Sequence, residues 1–179
     1  YNAAPNDGLA IGTLLKTLAI NEAIGRRGVK YKTAKFGWIV SSGPVDSVLA
    51  LWTATSPAKT LDEVFKKQVI LGSTGKGSAT FIEPTIMNAM IGTKFKIITG
   101  YRGGSPIRKA IESGELHGWA GQWLGWKLRK ADWIRDGKIV TLVQMATKRH
   151  PDLPNVPLLT DFATTPEQSK RLYHAIKGN

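Results

Sequence analysis

Short apolar runs alternate with stretches of helical periodicity between residues 60 and 143. The run at 69–71 is continuous, as in strands that a parallel sheet buries on both faces. It breaks into a glycine-rich stretch at 72–78, after which apolar residues recur at helical spacing. A second run at 96–99 leads in the same way into glycines at 100–104 and a second helix. The pattern predicts two consecutive units of strand, loop and helix.

Helix-capping signals bound these units. Thr60 and Glu63 have the spacing of a capping box, and Ser105 with Pro106 fits the N-cap and first position of a helix. Gly114 fits the left-handed turn that ends this second helix. The remaining predicted elements are strands at 9–12, 38–40, 48–52 and 139–143, a strand-like return at 115–119 and a last helix capped by 165–168. Together they predict an α/β fold with a mixed or parallel sheet flanked by helices.

The two glycine stretches are candidate anion sites. Glycines let the backbone approach a ligand closely, and the first turn of the next helix has N–H groups without intrahelical partners. The first stretch contains Gly75, Lys76, Gly77 and Ser78, which fit neither the phosphate-binding P-loop nor the dinucleotide fingerprint. Flexible connections are the alternative interpretation, but two such loops at matching strand ends favour a common ligand crevice.

Composition narrows the classes of partner. The chain has 179 residues, no cysteine, and 25 Lys and Arg against 13 Asp and Glu, which gives a net charge of +12. This charge is compatible with nucleic acid, acidic membrane surfaces or small anions. Because the basic residues are scattered, pairs such as Arg26 and Arg27 are interpreted as solvated faces. A basic nucleic-acid-binding module is the alternative function, although no RNA-binding aromatic motif or zinc-finger spacing supports it.

Catalysis and metal binding have little support in the sequence. The chain has three histidines and no Gly-x-Ser-x-Gly or His-Glu-x-x-His motif. Glu115 and His117 alternate, but two groups make a weak metal site. We therefore expect no enzyme, no metal and no cofactor.

Four tryptophans, at 119, 123, 126 and 133, are close together in the sequence. Trp126 and Trp133 fall in a helical pattern and are predicted to be core residues. Whether Trp119 and Trp123 contact a ligand stays open.

The order of motifs along the chain resembles that of a known family. The glycine-serine loop, the helix, the strand that ends in Tyr-x-Gly-Gly and the Gly-Glu-Leu sequence occur in an order that resembles the TctC-like or Bug family. These are the periplasmic substrate-binding receptors of tripartite tricarboxylate transporters. The resemblance covers nearly the whole chain, and further similar stretches are found at 4–8, 17–21, 56–61 and 149–157.

The resemblance implies a lobe of the type II periplasmic-binding-protein class, in a fragment that lacks much of the first lobe. It divides the chain into a first-lobe remnant with crossover strands at 1–53, the second ligand-binding lobe at 54–141, and a return strand with a C-terminal first-lobe remnant at 142–179. The implied function is that of a monomeric periplasmic receptor. It would capture a small organic anion, a carboxylate, between two lobes and deliver it to the membrane subunits of the transporter.

The resemblance also implies ligand-binding positions. They are Thr13 and Thr17 in the first lobe, Ser73, Thr74, Gly77 and Ser78 in the first loop, Tyr101, Gly103 and Gly104 in the second loop, and His117. Many family members have Gly-x-Val-Asp where this chain has Gly114, Glu115, Leu116 and His117. A histidine can donate to an anion where an aspartate cannot.

Overall fold

A mixed five-stranded sheet organises the computed structural model, which describes residues 7–10, 12–40 and 45–177. The strands are β1 Ser47–Trp52, β2 Val69–Ser73, β3 Phe95–Thr99, β4 Gly118–Gln122 and β5 Ile139–Met145. The helices are α1 Leu18–Ala23, α2 Leu61–Lys66, α3 Ala79–Ile91, α4 Gly104–Glu112, α5 Trp123–Arg129, α6 Ala131–Arg135 and α7 Pro166–Lys177, with 3-10 turns at Thr33–Lys35 and Leu159–Phe162.

The strand order β3-β2-β4-β1-β5 fixes which loops can meet. β2 runs parallel to β3 and β4, whereas β1 runs antiparallel to both β4 and β5. The carboxyl ends of β2, β3, β4 and β5 therefore lie together with the amino end of β1. We call this side the carboxyl end of the sheet. Ligands of open α/β sheets bind outside such an end.

Each face of the sheet is covered by helices, as the pattern predicted. Leu49 and Leu51 of β1 pack in one apolar cluster with residues of α2, α3 and α7, while Val48 and Ala50 pack on the other face with residues of α4, α5 and α6. This alternation is the period of a strand that is buried on both sides. Trp126 lies within the second cluster. The α/β prediction and the core assignment of Trp126 and Trp133 are confirmed.

The predicted helix signals hold in three places. The backbone N–H of Glu63 donates to Thr60 Oγ1 at 3.4 Å, which completes the capping box of α2. Gly114 has φ +80°, as a left-handed helix end requires. In α7, the backbone N–H of Gln168 donates to Thr165 Oγ1 at 3.1 Å, and the helix buries Leu172.

Several predicted elements are corrected. The described residues at 9–12 and those at 38–40 form no strand, and both stretches expose apolar side chains, with Leu9 87% and Ile39 80% exposed. A strand requires a neighbour to accept and donate its backbone hydrogen bonds, and no described strand pairs with either stretch. Part of the motif at 4–8, residue 11 and the turn at 41–44 lie outside the described residues.

Three boundaries also shift. The stretch at 17–21, predicted as a loop, contains the start of α1. Helix α4 begins at Gly104 with Gly103 as N-cap, whereas Ser105 was predicted. The reason is local, because Gly103 has φ +118° and turns the chain into the helix earlier. The predicted return at 115–119 becomes a strand only from Gly118.

The predicted division of the chain is not visible as separate sheets. β1 and β5 belong to the same sheet as β2, β3 and β4, and the boundary proposed at 141 falls inside β5. The division into lobe segments therefore stays a prediction. No helix in the described part of the chain is both long enough and apolar enough to cross a membrane.

Candidate ligand-binding site

The two glycine loops leave adjacent strands at the same end of the sheet. In the parallel pairing of β2 with β3, Ser73 lies opposite Thr99. The backbone N–H of Tyr101, in the second loop, donates to the carbonyl of Ser73 at 3.4 Å. The structure therefore brings the loops at 74–78 and 100–103 together at the carboxyl end of the sheet, as the sequence predicted.

Both loops lead into helices whose N-termini have no side-chain cap. Ser78 is the N-cap of α3 and Gly103 is the N-cap of α4, and neither helix receives a capping hydrogen bond from a side chain. The first N–H groups of a helix carry a partial positive charge and attract anions. Gly103 reaches its N-cap conformation with φ +118°, which an L side chain rarely adopts. Two helix N-termini of this kind at one end of the sheet suit an anion with oxygen acceptors.

A cluster of hydroxyl groups shapes the first loop. Thr80 Oγ1 lies 2.9 Å from Ser73 Oγ and 2.6 Å from Ser78 Oγ, and it accepts a hydrogen bond from the backbone N–H of Thr74 at 3.2 Å. Ser78 Oγ also donates to the carbonyl of Gly75 at 2.7 Å. Ser73 is fully buried, so its hydroxyl supports the loop from below. Sequence reasoning missed Thr80, although its position in the first turn of α3 was a usable signal.

The segment from residue 12 to residue 40, which we call the N-terminal segment, covers this loop. Thr17 Oγ1 donates to the carbonyl of Gly77 at 2.8 Å, and Asn21 Nδ2 donates to the same carbonyl at 3.1 Å. Arg26 Nη1 donates to Asn21 Oδ1 at 3.2 Å. A Cβ placed on Gly77 would lie 2.0 Å from Arg26 Nη1, so the guanidinium lies directly against this glycine.

The resemblance predicts that Thr17 binds the ligand. In the structure its hydroxyl lies against the first glycine loop and donates to the carbonyl of Gly77, and its contact with a ligand stays a prediction. Asn21 and Arg26 were missed. Arg26 had been interpreted as part of a solvated face, yet it is half-buried against Gly77. The signal for Asn21 was its spacing, because it lies four residues after Thr17 and therefore on the same side of α1.

A buried ion pair fastens the N-terminal segment to α3. Lys16 Nζ lies 2.7 Å from Glu83 Oε1, with the side chains 25% and 9% exposed respectively. Lys16 Nζ also donates to Ser47 Oγ at 3.4 Å. Burial raises the pKa of Glu83, while the neighbouring Lys16 acts in the opposite direction. The pair joins the segment, the amino end of β1 and α3 at the carboxyl end of the sheet.

Tyr101 is held by its own partner. Its hydroxyl donates to Glu115 Oε1 at 2.5 Å, and its ring packs on the apolar cluster beneath α4. Burial, together with the hydrogen bond to Glu115, raises the pKa of Tyr101 to about 12. The phenol is thus a neutral donor that is already engaged with Glu115.

Two predicted residues are not gathered at the site. Thr13 is exposed and takes no part in the hydrogen bonds that join the N-terminal segment to the loop. His117 lies toward the opposite end of the sheet, where its Nδ1 accepts the backbone N–H of Ile70 at 3.0 Å. Ile70 precedes Ser73 by three residues, which is roughly 10 Å along a strand. Burial lowers the pKa of His117. The expectation that it donates to an anion beside the glycine loops is corrected.

The positions of the acidic and histidine side chains determine whether they could together bind a metal ion. Among the described residues, no group of three or more His, Asp or Glu side chains could hold a metal ion. Glu115 instead pairs with Tyr101, and His117 pairs with the backbone of β2.

Comparison with known proteins adds structural relatives. The sequence matches no established family profile and no curated protein. Solved structures do match. A TctC solute-binding protein from Polaromonas, solved without ligand, superposes with a TM-score of 0.59 and 18% identity over 88% of this chain and 59% of its own. This chain has a solute-binding-protein fold.

Two further structures of this fold were solved with ligands. MatC from Rhodopseudomonas palustris, with bound malate, has a TM-score of 0.52 and 17% identity over 74% of this chain and 51% of its own. Another R. palustris protein, with adipate, has a TM-score of 0.55 and 16% identity over 74% of this chain and 50% of its own. The chain thus spans about half the length of these two structures.

Proposed function

We propose that the protein binds a small organic carboxylate at the carboxyl end of its sheet. The observation that carries this proposal is the pair of adjacent, parallel strand-loop-helix units, whose uncapped helix N-termini open at one end. Structural neighbours with bound malate and adipate support the same class of ligand. We infer further that the protein is a TctC-like periplasmic receptor, which delivers its ligand as a monomer to a tripartite transporter.

The local chemistry assigns roles to the residues. A carboxylate would accept hydrogen bonds from the backbone N–H groups in the first turns of α3 and α4. Charge-assisted hydrogen bonds of this type contribute roughly 1.5–3 kcal/mol each. The hydroxyl of Ser78 or Thr80 can turn toward the ligand, since each currently shares its proton within the cluster. Arg26, beside Gly77, supplies a positive charge.

The proposed capture of the ligand between two lobes requires a second ligand-binding surface. The described site is bounded by the sheet end and the N-terminal segment, and the similar structures are longer than this chain. A carboxylate bound to one lobe stays partly hydrated, which weakens its hydrogen bonds. We therefore expect the 179-residue chain to bind malate or adipate weakly, in the millimolar range, about −4 kcal/mol.

Amide chemical-shift mapping tests this proposal even at weak affinity. Malate and adipate are titrated into the ¹⁵N-labelled chain, with the corresponding diamides as neutral controls. The expected result is saturable shifts of the amides at 74–80 and 101–105, caused by the acids and absent with the diamides. Shifts confined to other regions would overturn the assignment. Binding of nucleic acid with a steep salt dependence, and no response to either acid, would favour the nucleic-acid module.

A further inference from the structure

Besides Arg26 at the first glycine loop, a second group of basic side chains lines a cleft on the face of the sheet that α4 covers. The cleft has a volume of about 380 Å³ and lies between α4 and the junction of α5 with α6. We call it the basic cleft. Its lining residues are Ser105, Arg108, Lys109, Glu112, Arg129 and Lys130. The cleft is on the face of the sheet that α4, α5 and α6 cover, whereas α3 packs on the other face. It thus lies outside the hydroxyl cluster of the proposed carboxylate site.

Arg108 is the unusual residue of the basic cleft. It is only 8% exposed, although arginine is rarely buried without a partner. Its Nη2 donates to Ser105 Oγ at 3.0 Å, and its guanidinium carbon lies 5.9 Å from the centre of the Trp119 ring. Among the described residues, no carboxylate forms an ion pair with it. A guanidinium has five N–H donors, so most of the donor capacity of Arg108 has no acceptor among the residues that the structure describes.

The surroundings of Arg108 raise the free-energy cost of keeping its buried guanidinium charged. It lies against Gly104 and Ser105 in the first turn of α4, which is the positive end of that helix. Burial and the nearby charge of Arg129 both lower the pKa of Arg108, while the carboxylate of Glu112 acts in the opposite direction. The cleft has one carboxylate, Glu112, whose Oε1 already lies 2.8 Å from Lys130 Nζ. An anion in the cleft would relieve this unfavourable arrangement.

We propose that the basic cleft binds a phosphate group, at a site that adjoins the proposed carboxylate site at the first turn of α4 and extends from there to the junction of α5 with α6. The planar fork of Arg108 suits two phosphate oxygens, and the hydroxyl of Ser105 can donate to a third while it accepts from Arg108. Arg129 and Lys109 supply further positive charge around the group. Free phosphate carries more than one negative charge near neutral pH and therefore matches several cations better than a single carboxylate does. A phosphodiester carries one negative charge and has two unesterified oxygens, which suit the fork of Arg108.

Two sources can present this group, namely free phosphate and the headgroup of an anionic phospholipid. Leu124 and Leu128 on α5 are 62% and 75% exposed, in the same helix as Arg129. Exposed leucines beside basic residues suit a lipid interface. The test therefore has one arm for each source.

The first arm is calorimetric titration of inorganic phosphate into the 179-residue chain, and the second is co-sedimentation with phosphatidylglycerol vesicles. The variants Arg108→Gln and Arg129→Gln remove a cleft cation, and Arg129 is exposed, so its replacement leaves the fold intact. Arg135→Gln is the matched control, since Arg135 is exposed and pairs with Asp136 elsewhere. We expect each cleft variant to weaken binding about tenfold, as for the loss of one charge-assisted contact. The control should change it less than about twofold.

Saturable binding of phosphate that depends on Arg108 and Arg129 supports the cleft with a free anion. Vesicle binding with the same dependence, without response to free phosphate, supports it with a lipid headgroup. No binding in either arm, or equal weakening by Arg135→Gln, overturns the proposal. The glycine-loop variant Gly77→Val separates the two sites, because it should impair malate binding and leave the phosphate response unchanged.

Discussion

The first glycine loop is closed by side chains, whereas the second leaves its backbone open. At 74–78, hydroxyls of the loop and of Thr80 bond to one another, and the N-terminal segment covers the carbonyl of Gly77. At 100–103, two glycines have positive φ, while the helices that follow the two loops both start without a side-chain cap. The two loops look alike in sequence and occupy equivalent positions on neighbouring strands.

The two loops therefore represent two ways in which the chain can order an anion-binding loop. A loop ordered by hydroxyls depends on many weak bonds and on the segment that covers it. A loop ordered by glycine φ angles depends on the absence of Cβ atoms. Substitutions should therefore act on the first loop through side chains and on the second through backbone strain.

The largest effect is expected from loosening the cover of the first loop. Lys16→Ala leaves the buried Glu83 carboxylate without its cation, and removing one partner of a buried pair destabilises by roughly 3 kcal/mol. Urea unfolding at about pH 7 measures this loss. In the same variant, amides at 74–78 should exchange faster, while those at 100–103 should not.

The pH dependence of this variant follows from the raised pKa of Glu83. A carboxyl whose folded-state pKa exceeds the unfolded value favours the folded state at low pH and loses that contribution as pH rises through the folded value. The destabilisation by Lys16→Ala should therefore shrink toward pH 4.5, the ordinary value. Glu83→Gln, which removes the charge that needs a partner, should cost less than about 1 kcal/mol. An equal loss in both variants would contradict the ion-pair explanation.

The second loop should respond most to Gly103→Ala. Gly103 has φ +118° and ψ 179°, a region that is essentially restricted to glycine. A Cβ there would meet no heavy atom within 4 Å, so the strain is purely conformational. We expect a loss of roughly 2 kcal/mol in urea unfolding.

The matched control is Gly77→Ala in the first loop. Its φ is not left-handed, and the added Cβ meets the far end of the Arg26 side chain. It should cost less than Gly103→Ala and displace Arg26. If Gly77→Ala proved the more destabilising of the two, the contrast between the loops would be wrong.

The sheet body was predictable because its signals are local and agree with one another. The run at 69–71 is apolar on successive residues, and a glycine loop and helical spacing follow it, so strand, turn and helix each had a separate cue. The capping box at Thr60 gave a boundary that the structure confirms. Strand order was not accessible from local patterns, because pairing of β1 between β4 and β5 depends on contacts distant in sequence.

The N-terminal segment shows why local apolar patterns can mislead. Trp38, Ile39 and Val40 have strand-like composition, yet they are exposed in a stretch that pairs with no described strand. Apolar character indicates that a residue tends to be covered, without specifying the partner that covers it. The same limit applies to the site, where Arg26 and Asn21 act through a fold that brings residues 21 and 77 together.

A smaller effect is expected from Ser78→Ala, which tests the hydroxyl cluster directly. The change removes the hydrogen bond to the carbonyl of Gly75 and the contact with Thr80. Loss of one such group should weaken malate binding about tenfold and lower stability by about 1 kcal/mol. Chemical-shift titration and urea unfolding measure the two effects.

Lys76→Ala is the control within the same loop. Lys76 is exposed, so its charge should influence the salt dependence of association more than the bound state. Loss of binding in Lys76→Ala, together with unchanged binding in Ser78→Ala, would show that a side-chain ion pair holds the ligand.

The smallest effect is expected for His117, which lies far from both loops and so serves as a reference residue outside the proposed site. Its Nδ1 accepts the N–H of Ile70, and burial lowers its pKa below 6.5. A base whose folded-state pKa is depressed contributes stability above its unfolded value, and that contribution is lost as pH falls through 6.5 toward the folded value. Urea unfolding at about pH 7.5 and about pH 5.5 should therefore differ, by less than about 1 kcal/mol from this residue. His117→Asn can keep an acceptor for Ile70 and removes the titration, so it should reduce the difference. His174→Asn, on the exposed side of α7, is the control for ligand binding. Malate binding should be the same in both variants, and a loss confined to His117→Asn would return His117 to the ligand site.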